Sequence, residues 1–379
     1  MMAAQACRKR TLKQMTPLTI GIIGTGNISD AYLGAAPAFP ILRILTCADA
    51  NPDVATAKAA QWGIEAQSVP SLMADPRIDI VLNLTTPQHH VDVGLLALAA
   101  GKHVYAEKPL AVSMKDALRL VDAARQSARH VGSAPDTFLG GAHQTARRAI
   151  DSGVIGSVVA GSAHMMVPGH ELWHPNPDFY YQPGGGPMLD MGPYYLTCLI
   201  NLLGPVRMVS GAQSTPRQTR TIGSGPRAGQ SFDVSVPTHI SALLEFENGA
   251  QVTLTTSFDV WKHGHNHIEL YGTRGSMMIS DPNQFEGEIL VSDHGGDWAT
   301  VPQYHAYATG NHRIIGLADM AQAITTGRPH RASLDLALHV LEVMEAIGLT
   351  AKTGIRQTMI HGCNRPEPLD TRPGLGTNE

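Results

Sequence analysis

The sequence predicts two domains of different class: a doubly wound α/β domain with a parallel sheet at residues 18–135, and an α+β domain with a large, mainly antiparallel open sheet at residues 136–354. Three observations predict this. Short apolar runs alternate with helical patterns through the first part of the chain, and a glycine-rich turn separates the first such run from the first helix. The second part then runs strand after strand without intervening helices. At 379 residues the chain also exceeds the ~100–200 residues of one ordinary domain. Residues 1–17 are expected to form a disordered extension. Residues 355–379, rich in Pro and Gly, are expected to form an extended tail suited to lying on a neighbouring subunit.

Composition narrows the class of function. Hydrophobic content of 43% with 16% charged residues describes a soluble globular protein. A net charge of −4 gives no reason to expect nucleic acid or a membrane as partner. Cys7, Cys47, Cys198 and Cys363 are scattered and form no C-x-x-C pair, so neither a disulfide framework nor a structural zinc site is expected. No apolar stretch follows Arg8, Lys9 and Arg10, and the expected location is the cytoplasm.

Leu18–Ile23 reads as the first strand, and Gly24-Thr25-Gly26-Asn27-Ile28-Ser29 follows directly. Gly24 permits a tight turn, Gly26 admits a pyrophosphate to the backbone, and Ser29 is small enough for close helix–strand packing. The helix opening near Asn27 points its positive end at the phosphates. Asp49 ends the second strand roughly 20 positions beyond Gly26, the separation of an acid that binds ribose hydroxyls. No arginine follows in Ala50 or Asn51 to take a 2′-phosphate, so NAD is expected rather than NADP. Asp49 could equally cap the helix that opens at Asn51-Pro52. Ile78–Leu84 is the next strand, broken by Thr85, Thr86 and Pro87, and an Ala/Leu-rich helix follows with His89 and His90 at its start. Adjacent histidines do not share a helix face and make a poor metal pair; a hydrogen bond to cofactor or backbone suits them better. His103–Ala106 is a short strand after the helix-ending Gly101, and Glu107-Lys108-Pro109 emerges at its carboxyl edge. Ser113, with Asp116 at capping-box spacing, opens a helix to about Arg129.

Beyond Gly153, strands are expected at Val158–Met166, His239–Phe246, Gln251–Phe258, Ile268–Tyr271 and Ser276–Ile279, with Asn248-Gly249 as a hairpin turn. The segment 214–230 should be a mobile surface loop, and helices at about 310–326 and 333–350 close the domain. The stretch Gly184 to Tyr194 carries the chemistry of this half. Pro187 suits a first helical turn, and Asp190 and Tyr194, four apart, share one face beside the kinking Pro193.

Together, Gly24-x-Gly26-x-x-Ser29, Thr86-Pro87-x-x-His90, Ala100-Gly101-Lys102-His103-Val104 and Glu107-Lys108-Pro109 resemble the Gfo/Idh/MocA oxidoreductases, the glucose–fructose oxidoreductase and inositol dehydrogenase family. The resemblance spans about residues 18–352. It implies a Rossmann domain for NAD, a cis Lys108–Pro109 peptide, and a catalytic group of Lys108, Asp190 and Tyr194. Tyr194 stands where many members have histidine; in this it is similar to the glucose–fructose oxidoreductase and dihydrodiol dehydrogenase branches, where tyrosine occupies that place. The cofactor-binding set is then Gly24, Gly26, Asn27, Ile28, Asp49, Thr85, Thr86, Pro87, His90, Glu107 and Lys108. Lys108, Asp190 and Tyr194 would also touch substrate, joined by Trp173, His174 and Arg313. His164 and His170, ahead of Phe179, Tyr180 and Tyr181, and His263, His265 and His267 are further polar candidates; no metal set is expected among them. The implied activity is hydride transfer between NAD and a carbinol of a sugar, polyol or sugar acid. A lysine beside Tyr194 would favour its phenolate. The alternatives are a redox-elimination glycosidase and a non-catalytic NAD sensor. The open sheet suggests a homodimer or homotetramer.

Overall fold

The computed structural model describes residues 16–370, so most of the expected N-terminal extension and the end of the tail lie outside the described residues. The first sheet comprises β1 (Leu18–Ile23), β2 (Leu42–Ala48), β3 (Glu65–Ala66), β4 (Ile80–Asn83), β5 (His103–Ala106) and β6 (Val131–Ser133). Its order is β3-β2-β1-β4-β5-β6, parallel throughout. Ile20, Ile22, Ile80, Val81 and Leu82 are fully buried, as continuous apolar runs are when helices cover both faces of a parallel sheet. The crossovers carry α1 (Ile28–Ala35), α2 (Pro52–Trp62), α3 (Val69–Ala74), α4 (His90–Ala99) and α5 (Met114–Ser127). Asn51 caps α2 by accepting from the Asp53 amide at 3.0 Å, and Ser113 caps α5 through the Asp116 amide at 3.2 Å. Strand order reverses between β1 and β4. That reversal opens a crevice at their carboxyl ends, where Gly24 and Thr85 emerge beside Glu107 from β5.

The second half contributes α6 (Gly141–Asp151), β7 (Val158–Met166), α7 (Pro187–Leu203), β8 (Val206–Ser214), β9 (Thr219–Thr221), β10 (Ser231–Asp233), β11 (His239–Phe246) and β12 (Gln251–Ser257). It continues with β13 (Ile268–Gly272), β14 (Gly275–Ile279), β15 (Leu290–Asp293), β16 (Ala299–Thr300), α8 (Ile315–Thr326), α9 (Leu334–Thr353) and β17 (Gln357–Thr358). Nine of these strands form one sheet, β16-β15-β14-β13-β7-β12-β11-β8-β17, antiparallel except for the β7–β12 pair. Ile240, Ala242, Leu244 and Phe246 point to one face of β11, where α7 and α9 pack; the alternate residues are half-exposed. From Gly192 to Leu203, α7 is buried all round, which makes it the spine of this domain.

Two expectations need correction. The segment 214–230 is no free loop: it contains β9, paired with β10 as a separate two-stranded sheet, and Arg220 is wholly buried within it. Its three arginines make ion pairs: Arg217 and Arg220 with Asp259, Arg220 also with Glu171, and Arg227 with Asp178. The tail, as far as Asp370, lies on its own chain. β17 covers the edge of β8, Arg147 Nη1 donates to the Pro366 carbonyl at 2.7 Å, and the Leu369 amide donates to Gln144 Oε1 at 2.7 Å.

Candidate active site

The glycine turn after β1 has the shape that its spacing demands. Gly24 has φ +94°, and a Cβ there would lie 2.6 Å from the Leu84 backbone, so only glycine fits. A Cβ on Gly26 would meet nothing within 4 Å: the space above it is open, as approach of a pyrophosphate requires. Asn27 precedes α1 without forming a side-chain cap, which leaves that end of the helix for an anion. Asp49 Oδ2 accepts from the Thr25 amide and hydroxyl at 2.8 and 3.0 Å, and Oδ1 from the Asn51 amide at 3.0 Å. Burial pushes its carboxyl up, but these hydrogen bonds outweigh it and hold it below the usual range. The acid thus stays charged beside the turn, while the helix cap itself is Asn51. These residues fit a nicotinamide dinucleotide.

Two of the expected cofactor contacts are occupied internally. His90 is 1% exposed, its Nδ1 2.8 Å from the Pro109 carbonyl and its Nε2 2.9 Å from that of Thr85. It ties the loop after β4 to the loop after β5 and cannot reach a cofactor. Glu107, 7% exposed, accepts the Tyr32 hydroxyl on Oε1 at 2.7 Å and the Lys108 amide on Oε2 at 2.9 Å. What Glu107 can offer a ligand is backbone. Thr85, Thr86 and Pro87 stand at the rim, with the Thr85 hydroxyl held by Asn83 Oδ1 at 2.7 Å.

Lys108 crosses to the second domain. Its Nζ donates to the Asp190 carbonyl at 2.6 Å and to Asp190 Oδ1 at 2.9 Å, and the Lys108–Pro109 peptide is cis. Burial pushes the ammonium down, but Asp190, Tyr194 and Glu107 together hold it above the ordinary lysine range. Burial likewise pushes the Asp190 carboxyl up, and the Lys108 charge with the His170 hydrogen bond brings it down to about 2. The pair is therefore charged across the neutral range.

Tyr194 lies one turn beyond Asp190 on α7, with Lys108 Nζ 5.2 Å from its ring centre. Arg313 Nη1 donates to the Tyr194 hydroxyl at 3.2 Å, and Nη2 to Asn283 Oδ1 at 3.0 Å. Burial raises the phenol above its ordinary value despite Lys108 and Arg313, which both pull it down. The expected phenolate is thus not the resting form.

The wall opposite Lys108 was only partly legible. His170 Nε2 lies 3.1 Å from Asp190 Oδ2, so it holds the second carboxylate oxygen. The Tyr180 ring is tilted against that of His170, 4.3 Å between ring centres, within electrostatic reach of Asp190 and Lys108. Trp173 and His174 are set farther out, connected to Asp190 through His170. His164, His263 and His265 stack on one another over the sheet, apart from this group, and His267 meets the Tyr195 hydroxyl at 2.9 Å. Among the described residues, no cluster of three His, Cys, Asp or Glu has metal-holding geometry. Sequence spacing offered no signal for Tyr32, Asn283 or the His170–Asp190 contact, because each acts across distant segments.

Two family models match this chain: the oxidoreductase family with NAD-binding Rossmann fold over residues 18–134, and the GFO/IDH/MocA C-terminal domain over residues 143–278. The chain belongs to the Gfo/Idh/MocA family of NAD(P)-dependent oxidoreductases. Among relatives, D-glucoside 3-dehydrogenase of Escherichia coli is 28% identical over 90% of this chain and 97% of its own. Levoglucosan dehydrogenase of Pseudarthrobacter phenanthrenivorans is 25% identical over 75% of this chain and 78% of its own. A solved NAD-binding oxidoreductase from Klebsiella pneumoniae superposes with TM-score 0.80, at 24% identity, over 91% of this chain and all of its own. That likeness shows the fold alone. No helix among the described residues is long and apolar enough to cross a membrane.

Proposed function

We propose that this Gfo/Idh/MocA protein is an NAD-dependent dehydrogenase or reductase acting on a carbinol carbon of a sugar, polyol or sugar acid, with Lys108, Asp190 and Tyr194 as its acid–base group. The observation that carries the reading is the charged Lys108–Asp190 pair, spanning the two domains beside a protonated Tyr194. The dehydrogenases of sugar derivatives among its relatives support the substrate class. The charged Asp49 beside the glycine turn, with no arginine in Ala50 or Asn51, supports NAD over NADP.

Gly24, Gly26, Asn27, Ile28 and Asp49 would hold the dinucleotide, with Thr85, Thr86 and Pro87 along the edge toward Lys108. A bound nicotinamide supplies the hydride acceptor or donor. The protein's own residues manage the proton and the oxygen. Two of the three Lys108 ammonium donors are directed at Asp190, which leaves one to polarise a substrate oxygen. Tyr194 accepts from Arg313 while keeping its own proton, so it donates that proton to a carbonyl oxygen as the substrate is reduced. In the oxidising direction the phenolate has to form first. Arg313, Trp173 and His174 would orient the rest of the substrate. Assembly as a homodimer or homotetramer through the half-exposed face of the nine-stranded sheet belongs to the same reading.

The test is NADH formation against a panel of free sugars, polyols and sugar acids, with NAD and NADP in parallel, for the wild type and Lys108→Ala. NAD-dependent turnover on one substrate cluster, lost in the variant, is the expected result. Silence across the panel while NADH still binds would overturn the reading in favour of a sensor or a glycosidase.

A further inference from the structure

We propose that the rings of Trp173, His174, Phe179 and Tyr180 form a binding subsite for a second ring, so that the substrate is a glycoside or disaccharide rather than a single free sugar. This rests on the oxidoreductase reading and names its substrate class.

These four rings and His170 form one closed circuit. Ring centres lie 5.3 Å apart for His170–Trp173 and 5.3 Å for Trp173–His174. The circuit continues at 5.5 Å for His174–Phe179, 4.0 Å for Phe179–Tyr180 and 4.3 Å for Tyr180–His170. Its inner member, His170, holds the carboxylate of Asp190. Its outer members, Trp173 and Phe179, are 58% and 57% exposed. Aromatic ring contacts, two of the rings imidazoles, therefore run without a break from Asp190 out to solvent. Two large aromatic rings left this exposed beside a polar centre mark a surface built to be covered.

The segment that carries them is clamped rather than frayed. Glu171 is buried in an ion pair with Arg220 at 2.7 Å, and the Tyr181 hydroxyl also donates to it. Asp178 pairs with Arg227 at 2.6 Å. Trp173 and His174 thus lie between the Glu171 and Asp178 anchors, and Phe179 and Tyr180 between Asp178 and Tyr181, so the rings are held before any ligand arrives, as a preorganised contact requires. The chemistry of the rim selects its occupant. A pyranose or phenyl ring lays a flat apolar face on indole and phenyl rings. His174 Nδ1 accepts the Asn176 amide at 3.1 Å, which leaves its Nε2 for a hydroxyl. Because the circuit begins at Asp190, a ring seated here belongs to the same molecule as the carbinol at Lys108.

The experiment compares glucose with maltose, cellobiose and phenyl β-glucoside as substrates for the wild type, Trp173→Ala, Phe179→Ala and Trp173→Phe. The expected result is a wild-type preference for two-ring substrates. In either alanine variant the KM ratio of two-ring to one-ring substrate should rise about tenfold, with partial recovery in Trp173→Phe. An equal KM change for both classes overturns the subsite. So does dissociation of the protein into monomers on sedimentation of the alanine variants, which would make the rim a contact between copies. If no sugar is turned over, the oxidoreductase reading fails first. Quenching of tryptophan fluorescence by cellobiose then decides the subsite separately: saturable quenching lost in Trp173→Phe supports it, and absence of quenching overturns it.

Discussion

Tyr194 differs from the histidine common at its place in more than shape. A histidine exchanges its proton near neutrality, whereas a phenol ordinarily does so near ~10. Burial carries Tyr194 higher still. The acid form is therefore present throughout the neutral range, and the base form grows only as pH rises. A reductive turnover that draws its proton from Tyr194 should be flat through neutrality and fall above the phenol's raised value. An oxidative turnover should rise with pH across the same range. Tyr194→Phe is expected to lower kcat about 10²-fold or more and to flatten the oxidative slope. Full pH–rate profiles in both directions check this; a slope that survives in the phenylalanine variant would assign the proton to another group. The location of Tyr194 was legible, since Asp190 and Tyr194 four apart on a helix must share a face. Its protonation was not, because burial depends on the whole packing around α7. His90 shows the same limit: its place at a helix start was readable, but its two backbone carbonyl partners lie in loops that only the fold brings together.

At the scale of elements, the sharpest disagreement concerns residues 214–230. Serine, threonine, glycine and proline there read as a loop, and by propensity they are one. What makes the segment structural is Arg220, whose guanidinium bridges Glu171 at 2.7 Å and Asp259 at 2.6 Å and lies 4.8 Å from the Tyr181 ring. Both partners are about 40 or 50 positions away, far beyond any local pattern. Removing Arg220 leaves the buried Glu171 and the largely buried Asp259 with only the partly exposed Arg217, 3.9 and 3.1 Å away, as their cation, at a cost of up to about 3–5 kcal/mol. Arg220→Met is therefore expected to loosen the segment that carries His170 to Tyr181. Limited proteolysis should cut within that segment faster than in the wild type, while NADH affinity, which depends on the other domain, stays unchanged. Proteolysis at the wild-type rate would mean that the segment is held without the Arg220 ion pairs.

At the scale of the whole molecule, both sheets were readable because each obeys its own periodicity, continuous apolar runs in the parallel sheet and alternation in the antiparallel one. How the two sheets meet was not readable from spacing, and the site depends on that meeting: Lys108 comes from one domain and Asp190 from the other. The alternation also leaves a consequence on the far side of the large sheet. Leu243, on β11 opposite Ser210 on β8 and Thr253 on β12, belongs to the half-exposed set rather than to the face that α7 and α9 cover. Leu243 is already partly covered, so completing its burial is worth at most about a third of the ~1.5–3 kcal/mol of a fully exposed side chain of this size, and a second copy laid on the same face would gather several such contributions by symmetry. Leu243→Arg places a charge at that position without touching the core beneath it. Sedimentation velocity should show the wild type as a dimer or tetramer and the variant as a monomer, with one NADH still bound per chain. A wild type that sediments as a monomer would refute assembly through this face.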